Sequence, residues 1–223
     1  MDITIQDVLE TLKDEKYVSI SLIQRKLGIG FPKAGRLFTE LVEQGYAVKS
    51  SGHLYFLKRC NRGALKLIFL DIDGVLNFRG TKDCVGKYLG IDDGKVSLLK
   101  EVVDKTDAKI ILVSTWNYFW YKDEHLKEKQ DEFANHLDEK LAKQGLSIFD
   151  KAESLEVMNR GESVLDYINK LNRKGFEVDK FVIIDDEMFD YKELKLTKNL
   201  VQTSFENGGL LKKHISKIVA KLS

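Results

Sequence analysis

Three near-continuous apolar runs punctuate the chain: Leu65–Leu70, residues 109–113 and residues 181–184. Each stops abruptly, the first at Asp71, the second at Ser114 and the third at Asp185. Runs of this length without alternation are the signature of strands covered on both faces of a parallel sheet. Helical spacing fills the gaps: Leu98, Leu99 and Val102 in residues 96–103, Leu126, Phe133, Leu137 and Leu141 in residues 121–144, then residues 163–174. Leu200 and Val201 predict a short fourth strand, and residues 210–222 an amphipathic closing helix. Strands alternating with helices predict an α/β fold with a doubly wound, mainly parallel sheet.

The first quarter of the chain follows another plan. Ile3, Ile5, Val8, Leu9 and Leu12 predict a helix over residues 5–13, and Tyr17-Val18 an extended link. Ser19 or Ser21 is placed to cap a second helix through Leu22, Ile23 and Leu27, which Gly28 and Gly30 end. Pro32 suits the first turn of a third helix burying Ala34, Leu37, Phe38 and Leu41 and ending at Gln44-Gly45. Residues 46–49 and 53–57 read as two strands about a turn. Three helices and a hairpin make a winged helix. A short polar link then separates the two plans, with domains expected over residues 1–62 and 63–223.

Composition changes this picture little, but charge distribution does. The 223 residues carry a formal net charge of +1. Residues 1–63 hold ten Lys+Arg against seven Asp+Glu, leaving 26 against 28 for the rest. From residue 19 to 62, eight basic residues face only Glu40 and Glu43. Cys60 and Cys84 lack the spacing of a zinc site or a disulfide framework and read as free thiols. No apolar run approaches the roughly 18 residues that span a bilayer, and the first residues lack a secretory pattern, so the expectation is a cytoplasmic protein without membrane contact.

The chemistry sits at the strand ends. Asp71-Ile72-Asp73-Gly74 puts two acids on one face if the strand continues, and Gly74 lets backbone approach a ligand. A turn with an N-cap is the plainer reading of such a segment taken alone. Ser114-Thr115 and Asp185-Asp186 follow the other two runs, and Arg160-Gly161-Glu162 precedes a helix between them. Parallel strands bring those ends to one edge, where open α/β sheets hold their ligands. Carboxylates, hydroxyls and one cation suit phosphoryl transfer with Mg²⁺, a hard cation held by a few carboxylates plus substrate phosphate.

These motifs resemble the haloacid dehalogenase superfamily of phosphatases over essentially all of the second domain. The resemblance implies a fold with a small cap or none, an Asp71 nucleophile that takes up the phosphoryl group, and Asp73 as general acid and base. It implies that Ser114 holds a phosphate oxygen, with Thr115 next in line. Mg²⁺ would be held by Asp71, the backbone carbonyl of Asp73 and Asp185 or Asp186, with Asp190 farther out. A basic residue steadies the phosphate in that superfamily; Arg160 takes the role here, with Lys151 as the alternative. FLDIDGVLN, VSTW, RGES and VIIDDE together resemble the branch found in Swiss Army Knife RNA repair proteins, although Asn117 stands where that pattern has Arg.

Residues 19–37, with QR, then IG, then Ala34-x-Arg36-Leu37, resemble the winged-helix gamma domain of FtsK DNA translocases. The resemblance implies duplex DNA as partner, with Lys33 and Arg36 on the third helix, Arg25 and Lys26 at the backbone, and Lys49 and Lys58 from the wing. Phe31 and Pro32 depart from a polar helix start. Contact with DNA or RNA stands beside dimerisation or protein docking as the role of this domain. Few residues are available for a large lid, so a bulky phosphorylated substrate such as a nucleic-acid end is the leading expectation. A small-metabolite phosphatase with a dimerising winged helix, and a DNA-binding regulator that senses a phosphorylated ligand, are its rivals. Among the aromatics at 116–121, Trp116 and Tyr118 are the candidates for stacking on a base, against a plain packing role.

Overall fold

The computed structural model describes residues 3–12, 15–49, 54–57, 65–153, 159–173 and 176–223. The chain divides into two compact units, one made of Met1–Ala64 with Asn169–Glu177, the other of the remainder. The expected boundary at 62/63, with Cys60 and Lys58, lies outside the described residues.

In the first unit, α1 (Ile5–Thr11) opens with a capping box between Thr4 and Asp7. Strand β1 (Tyr17–Val18) leads into α2 (Ile20–Leu27), whose cap is Ser19, its side chain accepting from the Leu22 amide. Gly28 ends α2 at φ 65°, a left-handed conformation that glycine adopts without a Cβ penalty. Helix α3 (Phe31–Glu43) buries Ala34, Leu37 and Leu41, while Phe38 is half-buried against the same core. Strands β2 (Ala47–Lys49) and β3 (Tyr55–Leu57) complete a three-stranded antiparallel sheet in the order β1-β3-β2. The link at Tyr17-Val18 is thus a third strand of the wing sheet, and this small unit is a winged helix. The turn at residues 50–53 lies outside the described residues.

The second unit is built on five parallel strands. They are β4 (Leu65–Leu70), β7 (Lys109–Leu112), β8 (Ile148–Lys151), β9 (Val178–Asp185) and β10 (Leu200–Gln202), in the order β10-β9-β4-β7-β8. Between β4 and β7 come a two-stranded hairpin, β5 (Cys84–Val85) and β6 (Tyr88–Leu89), and helix α4 (Asp93–Thr106). Helices α5 (Glu132–Lys143), α6 (Arg160–Arg173) and α7 (Lys212–Leu222) follow in turn. Central strand β4 is fully buried from Leu67 to Leu70, which is why its sequence does not alternate. This is an α/β fold with a doubly wound parallel sheet, and the small hairpin is the only extra element between its first two strands among the described residues.

Three expectations need correction. Residues 121–144 are not one helix: a 3-10 segment Glu124–Lys129 and α5 start separately, because Asp123 and Asp131 each cap a new N-terminus. The edge strand β8 is absent from the periodicity reading, since Ile148-Phe149-Asp150-Lys151 is a short polar-ended run. Asp71 and Asp73 are not on a strand. Strand β4 ends at Leu70, Asp71 continues its pairing through one bond from its amide to the Ile184 carbonyl, and a turn begins at Asp73.

Candidate active site

The strand ends converge. Asp71 follows β4, Ser114 follows β7, and Asp185 closes β9, the strand paired with β4 in register Leu70↔Ile184. Asp71 and Asp185 are buried and Asp186 half-buried, and each of the three offers a carboxylate oxygen within 4.8 Å of the others. One cation reaches two of them: Arg160 Nη1 lies 2.8 Å from Asp71 Oδ1 and 3.0 Å from Asp185 Oδ2. The second is an aligned hydrogen bond; the first is an ion-pair distance without that alignment, so Asp71 Oδ1 is a buried atom with no hydrogen-bond donor. Ser114 Oγ, also buried without an aligned partner, is near enough to draw the Asp71 pKa down.

That pull does not win. Burial, then the charge of Asp185, raise the Asp71 carboxyl well above the usual carboxylate range, against Arg160 and Ser114. Asp185 is raised by burial against Arg160, the Glu187 amide and the Tyr191 hydroxyl. Burial and the neighbouring Asp185 push Asp186 up to about 6. Three carboxyl groups thus face one cation, Arg160, and a hard divalent cation at them fits the donor set.

Several flanking residues fix this arrangement. The Tyr191 hydroxyl donates to Asp185 Oδ2 at 2.9 Å, and the Glu187 amide to Asp185 Oδ1 at 3.0 Å. Asp190, expected in the outer shell of a metal, accepts from the amides of Gly161 (2.6 Å) and Glu162 (3.0 Å), anchoring the first turn of α6 that begins with Arg160. Between them Phe189 sits at φ 38°, a costly conformation for an aromatic residue, with its ring 4.3 Å from the Arg160 guanidinium carbon. Gly74 has φ 73°, and a Cβ there would run into the Asp186 carboxylate. The Thr203 hydroxyl holds the Gly74 carbonyl at 2.7 Å.

Asp73 lies beside the cluster, close enough for its charge to help raise the Asp71 pKa. Its carboxylate is exposed, Oδ1 accepting from Asn77 Nδ2 (2.7 Å) and Oδ2 from Trp116 Nε1 (3.1 Å). Its side chain is outside the three-carboxylate cluster. Trp116 is buried, edge-on to Phe133, and does not offer a free face to a base. Tyr118 does: it is 54% exposed and lines a pocket with Ser114, Thr115, Asn117, Ala152 and Arg160. Thr115 is exposed beside Ser114. Asn117 turns inward, its amide donating to the Ala152 carbonyl, while its own carbonyl takes Lys151 Nζ at 2.9 Å. Lys151 is half-buried with its pKa lowered by burial, and that bond to the Asn117 carbonyl ties it to the chain following β7.

Sequence reasoning misses Asn77, Phe189, Tyr191 and Thr203. Asn77 and Tyr191 lie four and six residues from predicted acids, a spacing that one turn brings back; Thr203 carries no local signal. On the winged helix, Arg25 and Lys26 are exposed in the last turn of α2, and Lys26 pairs with Glu15 at 2.8 Å. Lys33 is half-buried and Arg36 exposed on α3, and Phe31 at its start is 60% exposed. Among the described residues no helix is long and apolar enough to cross a membrane.

Comparison with known proteins agrees with both units. The model of the FtsK gamma domain matches residues 1–53. No curated protein and no solved structure matches the chain. The model of the HAD domain in Swiss Army Knife RNA repair proteins matches residues 67–215, and because that span holds every residue converging on Asp71 and well over half of the sequence, the chain belongs to this HAD family.

Proposed function

We propose that the protein is a Mg²⁺-dependent phosphomonoesterase that removes phosphate from nucleic-acid ends, with the winged helix as a DNA- or RNA-binding module. The observation that carries this reading is the meeting of Asp71, Ser114, Arg160, Asp185 and Asp186 at one sheet edge, with Asp73 on the adjoining turn.

Asp71, Asp185 and Asp186 would hold the cation. When bound, Mg²⁺ supplies the positive charge that keeps Asp71 ionised and offsets the charge of the phosphate. Arg160 and the Ser114 hydroxyl orient the phosphate oxygens beside the pocket they share with Tyr118. The Asp71 carboxylate attacks phosphorus; the bond to the leaving oxygen breaks as Asp73 gives that oxygen its proton. Asp73, ionised by that transfer, then takes a proton from water, whose oxygen attacks phosphorus and releases Asp71. The donors Asn77 and Trp116 hold the Asp73 carboxylate in place for both transfers.

Among the described residues only a short hairpin and α4 are inserted between β4 and β7, which suits a bulky substrate, and the exposed Tyr118 ring beside the pocket offers a terminal base a stacking face. The match to a domain of RNA repair proteins and the FtsK gamma resemblance support the same substrate class. The test is a phosphatase screen in Mg²⁺ with a sugar phosphate, a mononucleotide and oligonucleotides carrying 3′- or 5′-phosphates. Preference for the oligonucleotides supports the reading, and equal or better turnover of the sugar phosphate overturns it.

A further inference from the structure

Outside the catalytic edge, a groove runs between the free side of edge strand β10 and helix α7. Val201 and Gln202 line it from the strand, and Lys213, Lys217, Ala220 and Lys221 from the helix. Three lysines and no carboxylate face it. A solvated helix face usually interleaves both signs, as α4 does with Lys100–Asp104 and Glu101–Lys105 pairs. Helix α7 carries four lysines and no acid. The field these lysines make is felt by buried His214, whose pKa is lowered by burial and by Lys213, Lys217 and Lys95.

The groove is continuous with the catalytic edge. Gln202 pairs in register with Asp185, and its amide donates to the Asp186 carbonyl at 3.0 Å. At the other end Lys221 Nζ donates to the Lys198 carbonyl, just before β10 begins. Helix α7 therefore runs antiparallel to β10, and Lys213, Lys217 and Lys221 step away from the carboxylates. Successive lysines are about 6 Å apart along the helix axis, against a phosphate every 3.4 Å or so along each strand of a duplex and farther apart in a stretched single strand.

Resting on the phosphatase reading above, we propose that this groove holds the phosphodiester backbone of a single-stranded polynucleotide whose terminal phosphate lies at Asp71. The lysines neutralise backbone phosphates without reading sequence, so binding is insensitive to base and strongly dependent on salt. It gives the catalytic unit a nucleic-acid contact of its own, independent of the winged helix.

The test uses the full chain and its Lys213→Glu/Lys217→Glu variant, with Lys213→Ala/Lys217→Ala as the milder second variant. Anisotropy with an unphosphorylated oligothymidylate of about twelve nucleotides reads binding without turnover. Kinetics compare the phosphorylated oligomer with p-nitrophenyl phosphate. The expected result is a tenfold or greater rise in Kd and in KM for the oligomer, a change at least fivefold smaller for the aryl phosphate, and a slope of log Kd against log salt shallower by about 1.4. Unchanged Kd and slope in both variants overturn the groove and leave the phosphatase reading standing. So does a polyglutamate peptide that displaces the oligomer at lower concentration than competing oligothymidylate, since it assigns the β10 edge to an acidic peptide. Variant-sensitive binding without any phosphate release overturns the catalytic reading instead.

Discussion

Asp71 opposes folding where it serves chemistry. Burial and Asp185 raise its folded pKa above that of the unfolded chain, so the stability its protonated form contributes is lost as pH rises past the usual carboxylate range. Asp71→Asn should therefore unfold at a higher temperature than the unmodified protein in the absence of divalent cations, while losing about 10³-fold or more in turnover. Mg²⁺ should raise the melting temperature of the unmodified protein, and less so that of Asp185→Asn; thermal scans with and without the cation check both. Under the proposed mechanism Phe189 acts through Arg160, the side chain its ring touches. Phe189→Ala should lower kcat more than it changes KM for p-nitrophenyl phosphate, Phe189→Tyr should restore it, and thermal stability should fall, because Ala keeps the Cβ that makes φ 38° costly and loses the ring contacts with Arg160 and Tyr191.

The elements show what periodicity can and cannot convey. Strands β4, β7 and β9 are legible because two-sided burial makes their final residues continuously apolar, and the polar residues that follow name the site. Strand β8 lies at the edge of the sheet, alternates too briefly and is missed. The helical spacing at 121–144 misleads because Asp123 and Asp131 each start a separate segment, and Leu126 in the first of them is only half-buried. The Asp73 partners Asn77 and Trp116 are also hidden: one arrives by a turn, the other from a different strand end. At this scale α7 carries a pH dependence. Its His214 is held neutral by burial and by lysines, so its folded pKa lies below the unfolded one, and the stability it contributes is lost as pH falls below about 6.5. His214→Gln should remove that part of the slope between about pH 5 and 7, read as the difference between two melting-temperature profiles.

At the scale of the whole molecule, an α/β unit of the HAD family and a winged helix share one chain. On the winged helix, α3 presents Arg36 and, one turn before it, half-buried Lys33. Lys33→Ala/Arg36→Ala should weaken binding of duplex DNA with a reduced salt slope while p-nitrophenyl phosphate turnover stays within twofold, measured by anisotropy and by phosphate release. The central claim is that Asp71 carries the phosphoryl group. The most direct measurement is acid quenching of the protein during turnover of a phosphorylated oligonucleotide in Mg²⁺, followed by mass analysis of the peptide containing Asp71. A phosphoryl group on that peptide, absent from Asp71→Asn, is the predicted result; undiminished phosphate release by Asp71→Asn would contradict it.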